Sequence, residues 1–283
     1  MKPIKILADS TCDLSPELRS QYHIDILPLC VNLGEVSRLD GVDIQPDEIY
    51  AWADKNNKTP TTSAPTPPAV KDFLEPFAEE YDIIVFTISG EMSSTYQTFC
   101  AVAKTIPQAR ITVIDSRNLS TGIGLQVLTA AKMVQNGASY EEILAKLKEI
   151  NPLVRAGFVV ENVLFLHKGG RCSALAAWGA TALKLRPTLA VVDGVIKVDR
   201  KVRGDIRTAT MKYVTGMEKE ILAAQDDMVF ITHSGTSQEI IDEVYTYVKS
   251  LNKFKNIYIT RAGCVISSHC GAGTLGVLFI AEK

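Results

Sequence analysis

The stretch "ISSHCGAGTLG" at residues 266–276 places His269 between two serines and a cysteine, then closes on a glycine-spaced turn. Three chemistries are open to such a histidine: base for a nucleophile, part of a phosphate cradle, or donor to an acidic ligand. Nucleophilic catalysis needs a nucleophile, a base and a third group that orients the base. Ser93 or Cys270 acting with His269 would be the candidates, but the sequence has no GxSxG elbow. Read as a strand, the stretch turns Cys270 to the face opposite His269 and gives Ser267 the same face as the histidine. A phosphate cradle calls for GxxxxGK[ST], or for GxGxxG after the first strand, and neither occurs. The glycines of "GAGTLG" also have a plain reading as close packing or turns of positive φ.

Other hydroxyl-rich segments accompany His269. "DSTCD" (9–13), "TPTTS" (59–63) and "SGEMSSTYQ" (89–97) each fall near the end of an expected strand, where α/β sheets place ligand sites. Each has a bland reading too: polar loop, linker, or N-cap region in which Ser93, Ser94 or Thr95 would serve. In "HKGGRCS" (167–173) Gly169 and Gly170 would end a helix and Ser173 would cap the next. Alternatively, Arg171 reaches a buried anion beside a helix N-terminus. Hydroxyls with one histidine, and no carboxylate dyad or metal-ligand cluster, match an oxygen-rich anionic ligand better than a reaction centre.

The elements that must position these groups follow from periodicity and caps. Strands are expected at 3–8, 82–89 and 110–116, with a strand pair in "HIDILPLCVNL" and a loop over 58–68. Ser15 with Pro16 and Glu17 starts one helix, and Ser139 with Glu142 makes a capping box for another. Pro76 should kink or shorten the helix carrying Val70, Phe73, Leu74 and Phe77. A helix over 119–136 ends at Gly137. Strands alternating with helices imply a mainly parallel α/β sheet in residues 1–154. Beyond the junction "NPLVRAG" the pattern changes. Asp193-Gly194 between apolar runs marks a tight hairpin, helices are expected near 205–224 and 237–251, and 155–283 reads as an α+β domain with antiparallel strands.

The 283 residues are long enough for two modest domains with substantial cores. A formal charge of −2 excludes a broad phosphate-neutralising surface, so no nucleic-acid partner is expected. No apolar run reaches the roughly 18–20 residues of a membrane span, so no stable membrane insertion is expected. The start "MKPIKILADSTCD" does not read as a signal peptide, which makes cytoplasmic the expected location. The six cysteines form no CxxC pair, and with four scattered histidines they call for no metal site.

Seven segments taken in order carry a resemblance: "DSTCDL", "TTSAPT", "ISGEMSSTYQ", "VIDS", "LFLHKGGRCS", "LRPTLAVVDGVIKVDRKVR" and "SSHCGAGTLG". Over essentially its full length the chain resembles the DegV family of fatty-acid-binding proteins. The resemblance implies a two-domain DegV-like fold with a long-chain fatty acid between the domains and no cofactor. It implies a carboxylate held by loop hydroxyls and a C-terminal histidine, and no catalysis by the chain alone. In some members a separate ATP-dependent fatty-acid kinase subunit phosphorylates the bound carboxylate, feeding phospholipid synthesis. By motif position Thr62, Ser93 and His269 would bind the carboxylate, while Arg171, Arg203 and Ser94 would support the site or meet the partner. Ala64 stands where the family usually has glutamine, Ser94 where glycine is usual, and Ala272 where proline is usual. A lipid hydrolase or acyltransferase using Ser93 or Cys270 with His269, and a lipid sensor without a kinase partner, are the alternatives.

Overall fold

The structure is a computed structural model that describes residues 2–172, 175 and 185–283. In chain order the strands of the first part are β1 (Ile4–Asp9), β2 (Asp25–Leu27), β3 (Cys30–Leu33), β4 (Val36–Leu39), β5 (Thr61–Ser63), β6 (Asp82–Thr87) and β7 (Ile111–Asp115). Those of the second are β8 (Val154–Val159), β9 (Leu185–Val192), β10 (Val195–Arg203), β11 (Ala224–Ser234), β12 (Asn256–Arg261) and β13 (Thr274–Ala281). A parallel sheet of order β2-β1-β6-β7 and a mixed sheet of order β10-β9-β8-β13-β11-β12 form the two main layers. A small antiparallel sheet, β4-β3-β5, stands apart from both.

Helix Thr121–Gln135 touches strands of both large sheets. Every residue from Thr121 to Leu128 is buried, as a helix covered on all sides requires. One continuous apolar cluster follows from this, joining Ile84 and Phe86 of β6 to Ile123 and Leu128 of the helix and to Phe158, Phe230 and Leu278 of the mixed sheet. The other face of the mixed sheet packs Val229, Val277 and Phe279 against helices Ile206–Gly216 and Gln238–Ser250. Ile240, Ile241, Val244 and Val248 of the latter are buried, each contributing about 1.5–3 kcal/mol of transfer free energy.

Local chemistry sets the joints. Ser15 caps helix Pro16–Gln21, and Ser139 with Glu142 forms the capping box of helix Tyr140–Ile150. Asp193 and Gly194 adopt φ of 55° and 83° at the β9–β10 hairpin, the left-handed pair that a two-residue turn needs. Helix Pro67–Ala78 runs through Pro76 and ends two residues later.

Four expectations change. The "HIDILPLCVNL" pair is split, because β2 joins the parallel sheet and β3 the small one. The 58–68 loop contains β5, which pairs with β3. The helix expected over 205–224 breaks at Met217 into Ile206–Gly216 and Glu218–Leu222. Residues 264–270 form a helix instead of a strand, so Ser267 and His269 no longer share a face. The proposed cap Ser173 lies outside the described residues.

Candidate functional site

Four segments converge on one cavity. β5 brings Thr62, paired to Val31 of β3, and the loop after β6 brings Ser93. Helix Cys264–Cys270 carries His269 in its last turn. Arg171 follows helix Leu164–Gly169, which Gly170 ends at φ 69°. Thr62, Ser93, Arg171 and His269 all line a cavity of about 50 Å³ whose other walls include Leu29, Ile88, Met92 and Ile196.

His269 Nε2 lies 2.8 Å from Thr62 Oγ1, although 207 positions separate the two residues. Its Nδ1 is buried without a partner. A buried N–H with no acceptor costs about 1–3 kcal/mol, so the proton belongs on Nε2. Nε2–H then donates to Thr62 Oγ1, and the threonine hydroxyl keeps its own proton to give. Gly169 is packed so tightly on this ring that a Cβ there would fall on Nδ1. Ser93 Oγ lies 2.8 Å from Thr95 Oγ1 and accepts from the Thr95 amide. Arg171 ties the walls together, donating from Nη1 to Gly169 O at 2.7 Å and from Nε to Met92 O at 3.3 Å.

Burial, followed by the positive charge of Arg171, lowers His269 to about 4. The imidazole is therefore neutral at pH 7. Because the folded value lies below the unfolded value of about 6.5, protonation favours the unfolded chain. Relative to His269→Gln, the ligand-free wild type should lose stability as pH falls from about 6.5 to about 4, approaching ~1.4 kcal/mol per pH unit. Parallel denaturant titrations of both proteins check this, and superimposable pH profiles would refute it.

An apolar path leads inward from this cavity. A second one of about 30 Å³ shares Leu119, Ile266 and Cys270 with the first. Its hydroxyl-bearing walls are engaged elsewhere. Ser120 donates to Asp13 at 2.5 Å, Thr232 bonds Thr121 and Thr260, Ser234 donates to Gly271 O, and Thr274 donates to Cys270 O. Carbon surface is what these residues offer the path, apart from His233, whose buried Nδ1 is unpartnered. The two cavities hold only a few waters' worth of space.

The helix that carries His269 is held by carboxylates from far away in sequence. Asp40 accepts from the amides of Cys264 at 2.6 Å and Val265 at 3.4 Å, and from Ser10 Oγ at 2.8 Å. Asp13 accepts from the Gly263 amide at 2.8 Å. Burial pushes Asp13 well above the usual carboxylate range and Asp9 to about 6. The hydroxyls of "DSTCD" serve this cluster and not the cavity: Ser10 bonds Asp40, and Thr11 bonds Asp9. Sequence reasoning missed Asp40 and Asp13 as supports, since nothing local to either points to a helix start more than 200 residues on.

Ser94 is exposed at the start of helix Thr95–Ala103, makes no capping bond and does not line the cavity. Arg203 is exposed at the far end of β10, seven residues or about 23 Å of extended strand from Ile196. Nucleophilic catalysis finds little support in this geometry. His269 Nδ1 has no orienting carboxylate, Ser93 Oγ bonds Thr95, and burial pushes the Cys270 thiol up to about 12. Among the described residues no cluster of metal-ligating side chains occurs, and no helix is long and apolar enough to cross a membrane.

Comparison with known proteins gives one consistent result. The sequence model of a family described as "Uncharacterised protein, DegV family" matches residues 3–282. A DegV domain-containing protein of Clostridium acetobutylicum is 33% identical over 283 residues, covering 100% of both chains. A protein of Thermotoga maritima named fatty acid-binding protein is 31% identical and covers 96% of each chain. A solved structure described as fatty acid binding of a DegV family protein from Thermus thermophilus superposes with a TM-score of 0.91. It is 28% identical, with 100% of both chains covered.

Proposed function

Because the chain belongs to the DegV family, we propose that it binds a long-chain fatty acid and presents the carboxylate to a separate ATP-dependent kinase subunit for acyl-phosphate formation. The chain contributes binding, shielding and orientation, and no catalytic group of its own. In this reading residues 1–154 and 155–283 are the two domains, and the acyl chain runs between them.

One observation carries the proposal. His269 and Thr62 form a directed pair, with Ser93 on the same cavity wall, at the mouth of an apolar path. A carboxylate leaves water only when its oxygens find donors. Thr62 O–H supplies one, polarised by His269 behind it, and Ser93 O–H supplies another by turning from Thr95. Each buried methylene of the tail contributes about 0.8 kcal/mol, so a long chain gains on the order of 10 kcal/mol before association costs. The narrow path requires apolar side chains to move apart as the tail enters. The relatives named or described as fatty acid-binding support this ligand class. Access for a partner is supported by a broad groove of about 640 Å³ at the mouth, lined by Arg171, Met92 and residues 195–198.

Native mass spectrometry of the purified protein, followed by lipid extraction, tests the ligand. One long-chain fatty acid per chain is expected; a lipid-free mass unchanged by added fatty acids would sink the proposal. ATP with the purified chain alone should give no acyl phosphate. Arg203→Ala should leave fatty-acid affinity within about twofold and lower kinase-supported phosphorylation, as befits an exposed residue about 23 Å along its strand from the cavity. Equal loss of both would remove Arg203 from the partner surface.

A further inference from the structure

A groove of about 410 Å³ lies away from the head-group cavity, where the mixed sheet opens. Pairing of β8 with β9 is confined to residues 157–159 opposite 188–190. Past Gly157 the strands part, and Ala156, Val191 and Val192 line the gap. Ala190, Val191 and Val192 are its open apolar lining, while Val277, Phe279 and Met217 are themselves buried. Tyr213 also lines it, but its hydroxyl is engaged with the backbone of Val277. The volume falls in the range of about 300–1,000 Å³ typical of small-molecule sites.

The charges around the groove are unevenly used. Asp199 is paired with Arg200 at 2.9 Å, and Arg200 also senses Glu220. Asp193 faces Lys197 at 3.7 Å. Beside the Asp193–Gly194 turn, Arg117 has no side-chain hydrogen bond or ion pair among the described residues, and Arg155 hydrogen-bonds only the carbonyls of Pro152 and Val154, through Nη1. Two guanidiniums with donors to give thus border the open apolar edge of β9, which is the chemistry that recognises an anionic group on a flat hydrocarbon body.

Two walls of the groove are bonded to one buried serine of the head-group loop. Ser89, fully buried, donates from its amide to Asn118 O at 2.9 Å and from Oγ to Gly194 O at 2.7 Å. Its own carbonyl accepts from the amides of Met92 and Ser93 at 2.9 and 3.1 Å. Asn118 and Gly194 line the groove, and Ser93 lines the head-group cavity. A body wedged between the 117–118 and 193–194 segments therefore acts on the serine that sets Ser93.

We propose that this groove is a second ligand site, for a small organic anion with a flat apolar body, and that its occupation is coupled through Ser89 to the head-group cavity. The coupling rests on the fatty-acid reading above; the site does not.

Calorimetric titration of 1-naphthyl phosphate and of 1-naphthoate into stearate-saturated protein tests the site. At least one probe should bind one-to-one, and Arg117→Ala/Arg155→Ala should weaken it roughly 10-fold or more while stearate affinity without probe is unchanged. Absence of binding by both probes, or binding indifferent to that double substitution, overturns the site. Saturating probe should shift stearate affinity by about fivefold or more, and the shift should vanish in both Ser89→Ala and the double variant. Probe binding with stearate affinity unmoved overturns the coupling. The double substitution falls on exposed side chains, so these readouts stand even where Ser89→Ala fails to fold. Failure to take up stearate at all would defeat the fatty-acid reading and leave the probe isotherm, repeated on that protein, to decide the groove.

Discussion

Replacing His269 by alanine is expected to weaken fatty-acid binding by about 10- to 100-fold, the loss of a donor system serving a buried carboxylate. The effect should reach beyond one hydrogen bond because His269 Nε2–H orients the Thr62 hydroxyl 2.8 Å away. Without it the threonine proton can turn elsewhere, and the ligand loses a fixed donor. Thr62→Val, which keeps the shape and removes the hydroxyl, should approach the same loss. The pair then behaves as a unit, and the double substitution should cost little more than the worse single one. Fluorescent fatty-acid displacement on the four proteins of the cycle measures this. Additive losses would mean that His269 and Thr62 contact the ligand independently, and unchanged affinity in His269→Ala would remove the histidine from the site.

Asp40→Ala should destabilise the fold by about 3–5 kcal/mol. The carboxylate is buried and serves Cys264 N, Val265 N and Ser10 Oγ. Alanine removes the acceptor that all three donors share. The helix they begin, Cys264–Cys270, is only seven residues long, too short to persist without its end groups satisfied. Asp40→Asn should recover part of the loss, since an amide oxygen still accepts while the negative charge that, after burial, helps to raise Asp9 and Asp13 is gone. Urea denaturation at constant m-value gives the stability change. A loss below about 1 kcal/mol for alanine would show that the helix is held by packing alone. Fatty-acid affinity should fall alongside stability, because His269 sits in the last turn of that helix.

These two substitutions also mark where the sequence is readable and where it is not. Capping chemistry is local: Ser15, Ser139 with Glu142, and Asp193-Gly194 each act on amides or turns within a few residues, and each sits at the element it announces. The parallel sheet follows from apolar runs such as "DIIVF" that need covering on both faces. Helix Cys264–Cys270 has no such local sign. Val265 and Ile266 are β-branched, its serines favour caps and turns, and its N-terminal amides are served by Asp13 and Asp40 from the opposite end of the chain. For a comparable reason β5 escaped notice: three residues of "TTS" become a strand only because Cys30 to Asn32 lie beside them. The motif residues Thr62, Ser93, Arg171 and His269 meet at one cavity, whereas Ser94 and Arg203 lie off it. Periodicity places elements, but it carries no information on which distant carboxylate ends up beneath which helix.

The span of 207 positions between Thr62 and His269 has a consequence for the order of events during synthesis. β1, β2, β6 and β7 are all complete by Asp115 and can pair while the remainder is still being made. The head-group pocket cannot, since its histidine, and the helix whose amides Asp40 and Asp13 await, come at residues 263–269. A ribosome-bound or prematurely terminated chain therefore carries Thr62 without the histidine that orients it. If the chain binds fatty acid as proposed, lipid capture is the last thing the nascent protein becomes able to do, and an unfinished copy would leave the fatty-acid pool untouched.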